Sequence, residues 1–250
     1  MSLKSQLLLP LLFLSGLIVG SPSKASYTPL LVTPRAAMAP GAHTASVDAN
    51  DLAWLPTAKE STVAVYAPGL GHGSGVCIKR VGDLVYVLTA EHVAAMVDVD
   101  PDVTLTIQVA RGDTDYALPA VVVRRDPLMD LALLAVRDVI HALPITPLAE
   151  GLPADGAIVY TLGYPAAIYP VIARVGFVVA VGGDESREEV YHTTGIWFGD
   201  SGGPLLNRQG KLIGINVQIS SRPHDNQGWF PDSNKGIAVS LNSILLFLEG

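Results

Sequence analysis

The chain of 250 residues has a single cysteine, Cys77, so an intrachain disulfide is excluded. A lone cysteine between apolar neighbours, as in GVCIK, reads as a small buried hydrophobe rather than a reactive thiol. No CxxC or HExxH motif occurs. The six histidines (43, 72, 92, 141, 192 and 224) lack metal-ligand spacing, so neither a metal nor a cofactor is expected. Runs of Lys or Arg are also missing, and the formal net charge is -7. That balance argues against a nucleic-acid partner and gives no electrostatic reason to dock on anionic lipid. Long helices do not alternate with strands, which excludes a parallel α/β fold, and no internal repeat is visible.

What is present begins with Lys4 and the apolar run LLLPLLFLSGLIVG at residues 7–20, followed by small and polar residues. The run is shorter than the ~20 residues a membrane span needs, and Pro10 interrupts it. Residues 1–25 therefore read as a secretory signal peptide, with export to a periplasm or the extracellular space as the consequence. If the segment is retained instead, it anchors the chain with its domain outside the cytoplasm, and only then is a membrane a partner. Residues 26–55 carry Pro29, Pro34 and Pro40 without a persistent apolar period, and read as a flexible linker or pro-segment. The folded domain is expected over 56–250.

Hydrophobic residues make up 49% of the chain, enough for a sizeable core. From residue 61 on, the apolar stretches are short, Val-rich and separated by Gly, Pro and Asp. Candidate strands cover 62–67, 75–79, 84–89, 103–109, 118–124 and 131–136, then 157–162, 171–181, 190–193, 204–207, 211–218 and 236–239. This pattern predicts an all-β barrel or sandwich. Helix signals are confined to a short turn after Glu91 and to the C-terminus, where Ser240 or Asn242 can cap ILLFL. The turn-rich stretch 220–235 reads as a surface loop.

The strongest chemical signal is Gly199-Asp200-Ser201-Gly202-Gly203-Pro204. A serine hydroxyl needs a base to take its proton, and acyl transfer needs backbone N–H donors aimed at the oxyanion. A serine set among glycines meets both needs, with the amides of Gly199 and Ser201 as the donors. His92 follows the strand at 84–89 on a short turn, where a general base is held rigidly. The third group must accept the imidazole N–H. Asp126, Asp130 and Asp138 compete for it. Asp130 is favoured because it opens the apolar run LALLAV, whereas Asp126 precedes Pro127 as a turn residue and Asp138 lies at the far end of the run. His72, in GHGSG, reads as part of a loop leading into a strand.

TAEHV, DLALL and GDSGGP in this order resemble the trypsin-like (chymotrypsin-fold) serine proteases, most closely the bacterial HtrA/Deg branch. GSGVCI, Gly163-Tyr164-Pro165 and GDSGGPLLNRQGKLIGIN are similar to further segments of that branch, and the resemblance spans about residues 61–248. It implies two packed six-stranded antiparallel β-barrels, over about 60–145 and 146–240, with a short C-terminal helix. His92 and Asp130 would come from the first barrel and Ser201 from the second, and the substrate would be a polypeptide. Departures exist. The branch carries PDZ domains after the protease and none precedes Gly250, so regulation by such a domain and cage-like assembly are not carried over. Asp200 stands where the branch more often has Asn. In digestive relatives that aspartate receives a newly cut N-terminal amine, but no trypsin-like activation sequence precedes the first strand here.

By the same resemblance the specificity pocket is built by segments that include Gly195, Phe198, Val217 and Gly236. Gly195 stands where Lys- and Arg-selective enzymes carry an acid, so a small or medium apolar side chain is expected to fit. His192 and Thr193 read as a surface histidine and a strand residue. The competing expectation is a catalytically silent double-barrel binding protein that kept the fold without turnover.

Overall fold

The computed structural model describes residues 52–100, 102–111, 114–139, 143–167, 170–224 and 228–250. The expected signal peptide and nearly all of the expected linker lie outside these residues. Among the described residues no helix is long and apolar enough to cross a membrane.

The folded part opens with α1 (Leu55–Ser61), which the sequence reading missed although Pro56 in its first turn is a recognised helix-start signal. The Ser61 and Thr62 hydroxyls donate to the Ala58 carbonyl at 3.0 and 2.8 Å and end the helix where β1 begins. Six strands follow: β1 (Thr62–Ala67), β2 (Gly71–Val81), β3 (Leu84–Thr89), β4 (Thr106–Arg111), β5 (Thr114–Asp126) and β6 (Leu131–Arg137). They close in the order β1-β2-β3-β6-β5-β4, all antiparallel. The short helix α2 (Glu91–Ala94) sits directly after β3.

A second closed antiparallel barrel runs β10-β11-β12-β9-β8-β7. Its strands are β7 (Ile158–Gly163), β8 (Ile172–Gly183), β9 (Glu188–His192), β10 (Pro204–Leu206), β11 (Leu212–His224) and β12 (Gly228–Ser240). The double barrel expected from the resemblance is therefore the observed fold. The C-terminal helix α3 (Leu241–Glu249) is capped by Ser240, whose hydroxyl accepts the Ser243 N–H, and it buries Ile244 and Phe247.

Closure follows from the alternating burial of apolar residues, most of them β-branched. Val85 and Val87 on β3 are fully buried, as are Leu134 on β6 and Ile107 on β4. The second barrel buries Val159, Val190, Leu205, Ile213 and Ala238 in the same way. Each fully buried Val, Leu or Ile side chain contributes about 1.5–3 kcal/mol relative to exposure. Tyr164, just after β7, reaches across and donates its hydroxyl to the Thr62 carbonyl at 3.1 Å.

Three sequence expectations are corrected. GHGSG belongs to β2 itself, with His72 paired to Tyr66, because the hairpin from β1 turns tightly at Ala67–Gly71. The stretch 220–235 is not simply a loop. The β11–β12 ladder continues through Ser221↔Pro231 to His224↔Gly228, since backbone pairing extends outward from the buried half of the hairpin. His192 is a buried strand residue, not a surface one, because it falls on the inward period of β9 with Val190. Cys77 is fully buried, as expected.

Candidate active site

Asp126 begins the construction of the site. Its Oδ1 accepts the N–H groups of Leu128 and Met129 at 2.9 and 3.0 Å, which makes the turn through Pro127. The turn ends at Asp130 in the left-handed region, φ 54°, a conformation that Asp tolerates better than most residues. Asp130 is thereby delivered at the mouth of β6. Its Oδ1 accepts the backbone N–H of His92 at 3.1 Å, and both carboxylate oxygens lie 3.0 Å from His92 Nδ1. Ala90, at the start of α2, offers no side-chain cap, so the same carboxylate fixes both the helix start and the ring. Arg187, between β8 and β9, places a guanidinium nitrogen 3.9 Å from Asp130 Oδ2 and otherwise pairs with Glu189 at 2.7 Å. His92 keeps 47% of its side chain exposed.

Asp138, the rejected competitor, is buried at the other end of β6. There its Oδ2 accepts Arg80 at 2.6 Å and the Leu143 N–H at 2.8 Å.

The serine turn is shaped by Gly199 and Gly202, with φ of 98° and 86°. A Cβ on Gly202 would lie 2.1 Å from the Ser74 carbonyl oxygen and 2.2 Å from Thr89 Oγ1, with Ala90 N next at 2.9 Å. The residue after Ser201 is thus seated on the end of β3, three positions before His92. Ser74 stitches the turn to the first barrel. Its N–H donates to the Ser201 carbonyl at 2.7 Å, and its hydroxyl donates to the Gly199 carbonyl at 2.6 Å while accepting the Tyr164 N–H at 3.0 Å. The Phe198 carbonyl is turned toward the Ala166 N–H at 2.8 Å. In a trans peptide the Gly199 N–H then points the opposite way. Among the described residues neither the Gly199 nor the Ser201 amide donates to a protein acceptor. His72 Nε2 lies 2.5 Å from where a Gly199 Cβ would be, closing another side of the turn.

Of the expected pocket residues, Gly195 has φ 67°, Phe198 is 76% exposed and Val217 is buried on β11. Gly236 pairs with His192, and a Cβ there would lie 2.4 Å from the imidazole and 3.0 Å from Ile196. Against Gly236 ends a buried polar chain: Thr161 to Thr194 at 2.7 Å, then Thr194 to His192 Nδ1 at 2.9 Å. His192 Nε2 and Asn216 Oδ1 each lack a hydrogen bond of normal geometry. Burial pulls the His192 pKa down to about 4, with Asn216 opposing it.

Sequence reasoning missed Ser74, Arg187, the buried setting of His192, and Arg174. Arg174, on β8, forms an ion pair with Asp200. For Ser74 a signal existed in the small-residue run GHGSG, which permits close backbone approach. A single arginine in a strand carries no comparable signal.

A trypsin-like peptidase domain model matches residues 73–215, more than half of the chain, and the chain belongs to that family. It is similar to the serine protease Do-like HtrA of Bacillus subtilis (29% identical over 187 residues, 69% of this chain and 40% of the relative). The serine endoprotease DegS of Escherichia coli is 30% identical over 161 residues, which is 62% of this chain and 42% of DegS. The chain thus spans well under half the length of these curated relatives. Among solved structures, a serine endoprotease from Yersinia pestis superposes with a TM-score of 0.62 at 26% identity, covering 80% of this chain and 65% of that one.

Proposed function

We propose that this chain is a serine endopeptidase, with Ser201 as nucleophile, His92 as general base and Asp130 orienting the imidazole. The reading is carried by the Asp130 carboxylate, which holds His92 by both ring and backbone at the place where the Ser201-Gly202 turn is seated. Asp130 keeps the proton on Nδ1, so Nε2 is free to take one from Ser201. As that proton moves, the serine oxygen bonds to the scissile carbonyl carbon, and the amides of Gly199 and Ser201 take up the oxyanion. The imidazolium then gives its proton to the departing amine as the C–N bond breaks. Water, deprotonated by the same imidazole, cleaves the acyl-enzyme and restores the serine.

Polypeptide is the substrate class of the relatives' named activity. The segments carrying Gly195, Phe198, Val217 and Gly236 form the pocket for a small or medium apolar side chain, since no charge stands at position 195. The apolar N-terminal run makes export to a periplasm or beyond the cell the matching location.

A fluorophosphonate probe with mass-spectrometric mapping tests this, alongside a peptide-library digest. A single adduct on Ser201 is expected, with both adduct and cleavage lost in Ser201→Ala, a fall of about 10^4-fold or more in kcat. An unmodified protein at neutral pH would instead favour a silent double-barrel binding protein.

A further inference from the structure

The turn between β8 and β9 is fixed by its own side chains. Asp184 Oδ1 accepts the N–H groups of Ser186 and Arg187 at 2.8 and 3.3 Å and the Ser186 hydroxyl at 2.5 Å. The Asp184 N–H closes on the Arg187 carbonyl at 3.1 Å. Gly183, at φ 145°, gives that carbonyl room, since a Cβ there would lie 2.2 Å from it. The next residue, Glu188, donates its N–H to the Ser243 hydroxyl of α3 at 2.8 Å, and its carboxylate accepts the Ser240 hydroxyl at 2.7 Å. Backbone bonds therefore anchor Arg187 from both sides, and 17% of its side chain is exposed.

From this turn of the second barrel the guanidinium reaches a carboxylate of the first. Nη1 lies 3.9 Å from Asp130 Oδ2. On its other side Nε and Nη2 donate to Glu189 Oε1 at 2.8 and 2.7 Å, and the Tyr191 hydroxyl donates to Glu189 Oε2 at 2.7 Å. Tyr191, Glu189, Arg187, Asp130 and His92 thus form one row of polar groups that ends on the imidazole. The other charges nearby are occupied elsewhere. Glu91 of α2 lies 3.7 Å from Arg125 of β5, which pairs with Asp98 at 2.6 Å. Asp126 accepts the amides of its own turn. Among the described residues Arg187 is the one fixed cation paired with Asp130.

We propose that Arg187 is a positioning residue for catalysis: through Asp130 it opposes the imidazolium form of His92, and Glu189 sets how much of that charge the triad feels. This rests on the serine-protease reading above and deepens it, by giving the β8–β9 turn control over the pH at which the base becomes available.

The sign follows from the charges. A guanidinium beside the carboxylate disfavours a second positive charge on the ring. Removing Arg187 lets imidazolium persist to higher pH. Removing Glu189 leaves the guanidinium unopposed and does the reverse. The test uses the full chain as wild type, Arg187→Met, Arg187→Lys, Glu189→Gln and the double variant Arg187→Met/Glu189→Gln. Peptide kcat/KM is followed from pH 5 to 9. The His92 ring is titrated over the same range by NMR with 15N-labelled histidine, its resonances assigned by their loss in His92→Ala. That titration reads the ring whether or not the protein turns over substrate.

For Arg187→Met the midpoint of both curves is expected to rise by ~0.5–1 pH unit, and for Glu189→Gln to fall by ~0.3–0.5. Arg187→Lys, which keeps the charge, should move less than half as far as Arg187→Met, and the double variant should return to within ~0.2 of wild type. Damage to the fold alone gives no such opposition of sign. A rise or no change in Glu189→Gln, or a shift under ~0.2 in Arg187→Met, overturns the proposal. So does a double variant displaced as far as Arg187→Met. Failure of wild type itself to cleave peptide and to label at Ser201 would instead overturn the protease reading, and the ring titration would still decide the role of Arg187.

Discussion

Acidification should destabilise this domain through His192, and the size of the effect follows from its burial. The folded ring titrates at about 4 because its cationic form is desolvated, against 6.5 for an ordinary histidine. Between those values the unfolded chain binds more protons than the folded one, so stability rises with pH across the window. The contribution is complete above about pH 6.5 and is lost as pH falls toward 4. A difference of about 2.5 pH units, at ~1.36 kcal/mol each, comes to about 3 kcal/mol, of which about 2 kcal/mol is gone by pH 5. That is a large share of the ~5–15 kcal/mol that holds a typical domain together. Urea unfolding of wild type and His192→Asn at half-unit steps from pH 7 to 4 isolates it, because titrating carboxylates affect both proteins and cancel in the difference. Wild type is expected to lose about 3 kcal/mol relative to the variant across the series, whatever the variant's own stability at pH 7. Parallel curves, with a gap constant to within about 0.5 kcal/mol, would refute the claim that the ring is buried neutral.

Other outcomes follow from the same geometry. Asp130→Asn should keep the fold but present the wrong imidazole tautomer, lowering kcat by about 10^3–10^4-fold, and a rate near wild type would remove Asp130 from the mechanism. Gly202→Ala places a methyl 2.1 Å from the Ser74 carbonyl at φ 86° and should abolish acylation and lower the urea midpoint, whereas Gly151→Ala, with nothing within 4 Å, should change stability by no more than about 0.5 kcal/mol. The Cys77 thiol is pushed up to about 12 by burial, with Asp138 adding to the rise and Arg80 opposing it. It should therefore resist a maleimide at pH 8 until the protein unfolds, and rapid labelling of the native protein would place it at the surface.

The serine turn was legible because its chemistry is local. GDSGGP states its own backbone demands, and His92 and Asp130 each stand at the end of a Val- or Leu-rich strand. Barrel pairing was legible only through resemblance, since short alternating strands fit a sandwich equally well. The remaining features depend on partners far along the chain. Arg174 reads as one charge in an alternating strand until β8 is seen to bring it to Asp200, 26 residues away. His192 reads as a surface residue until its strand phase is fixed by pairing with Val178 and Gly236. The stretch 220–235 has turn composition throughout, yet its ladder is set by the pairing that starts at Gly214↔Ser240. Local propensity cannot register that kind of inheritance.

Ser74 belongs to one barrel, while the two carbonyls it binds belong to the other. A half-made molecule therefore has a histidine without its hydroxyl, or a hydroxyl on a slack turn. Under the proposed serine-protease reading, a chain is expected to gain activity only after the last strands have docked, and a fragment carrying one barrel alone is expected to stay inert.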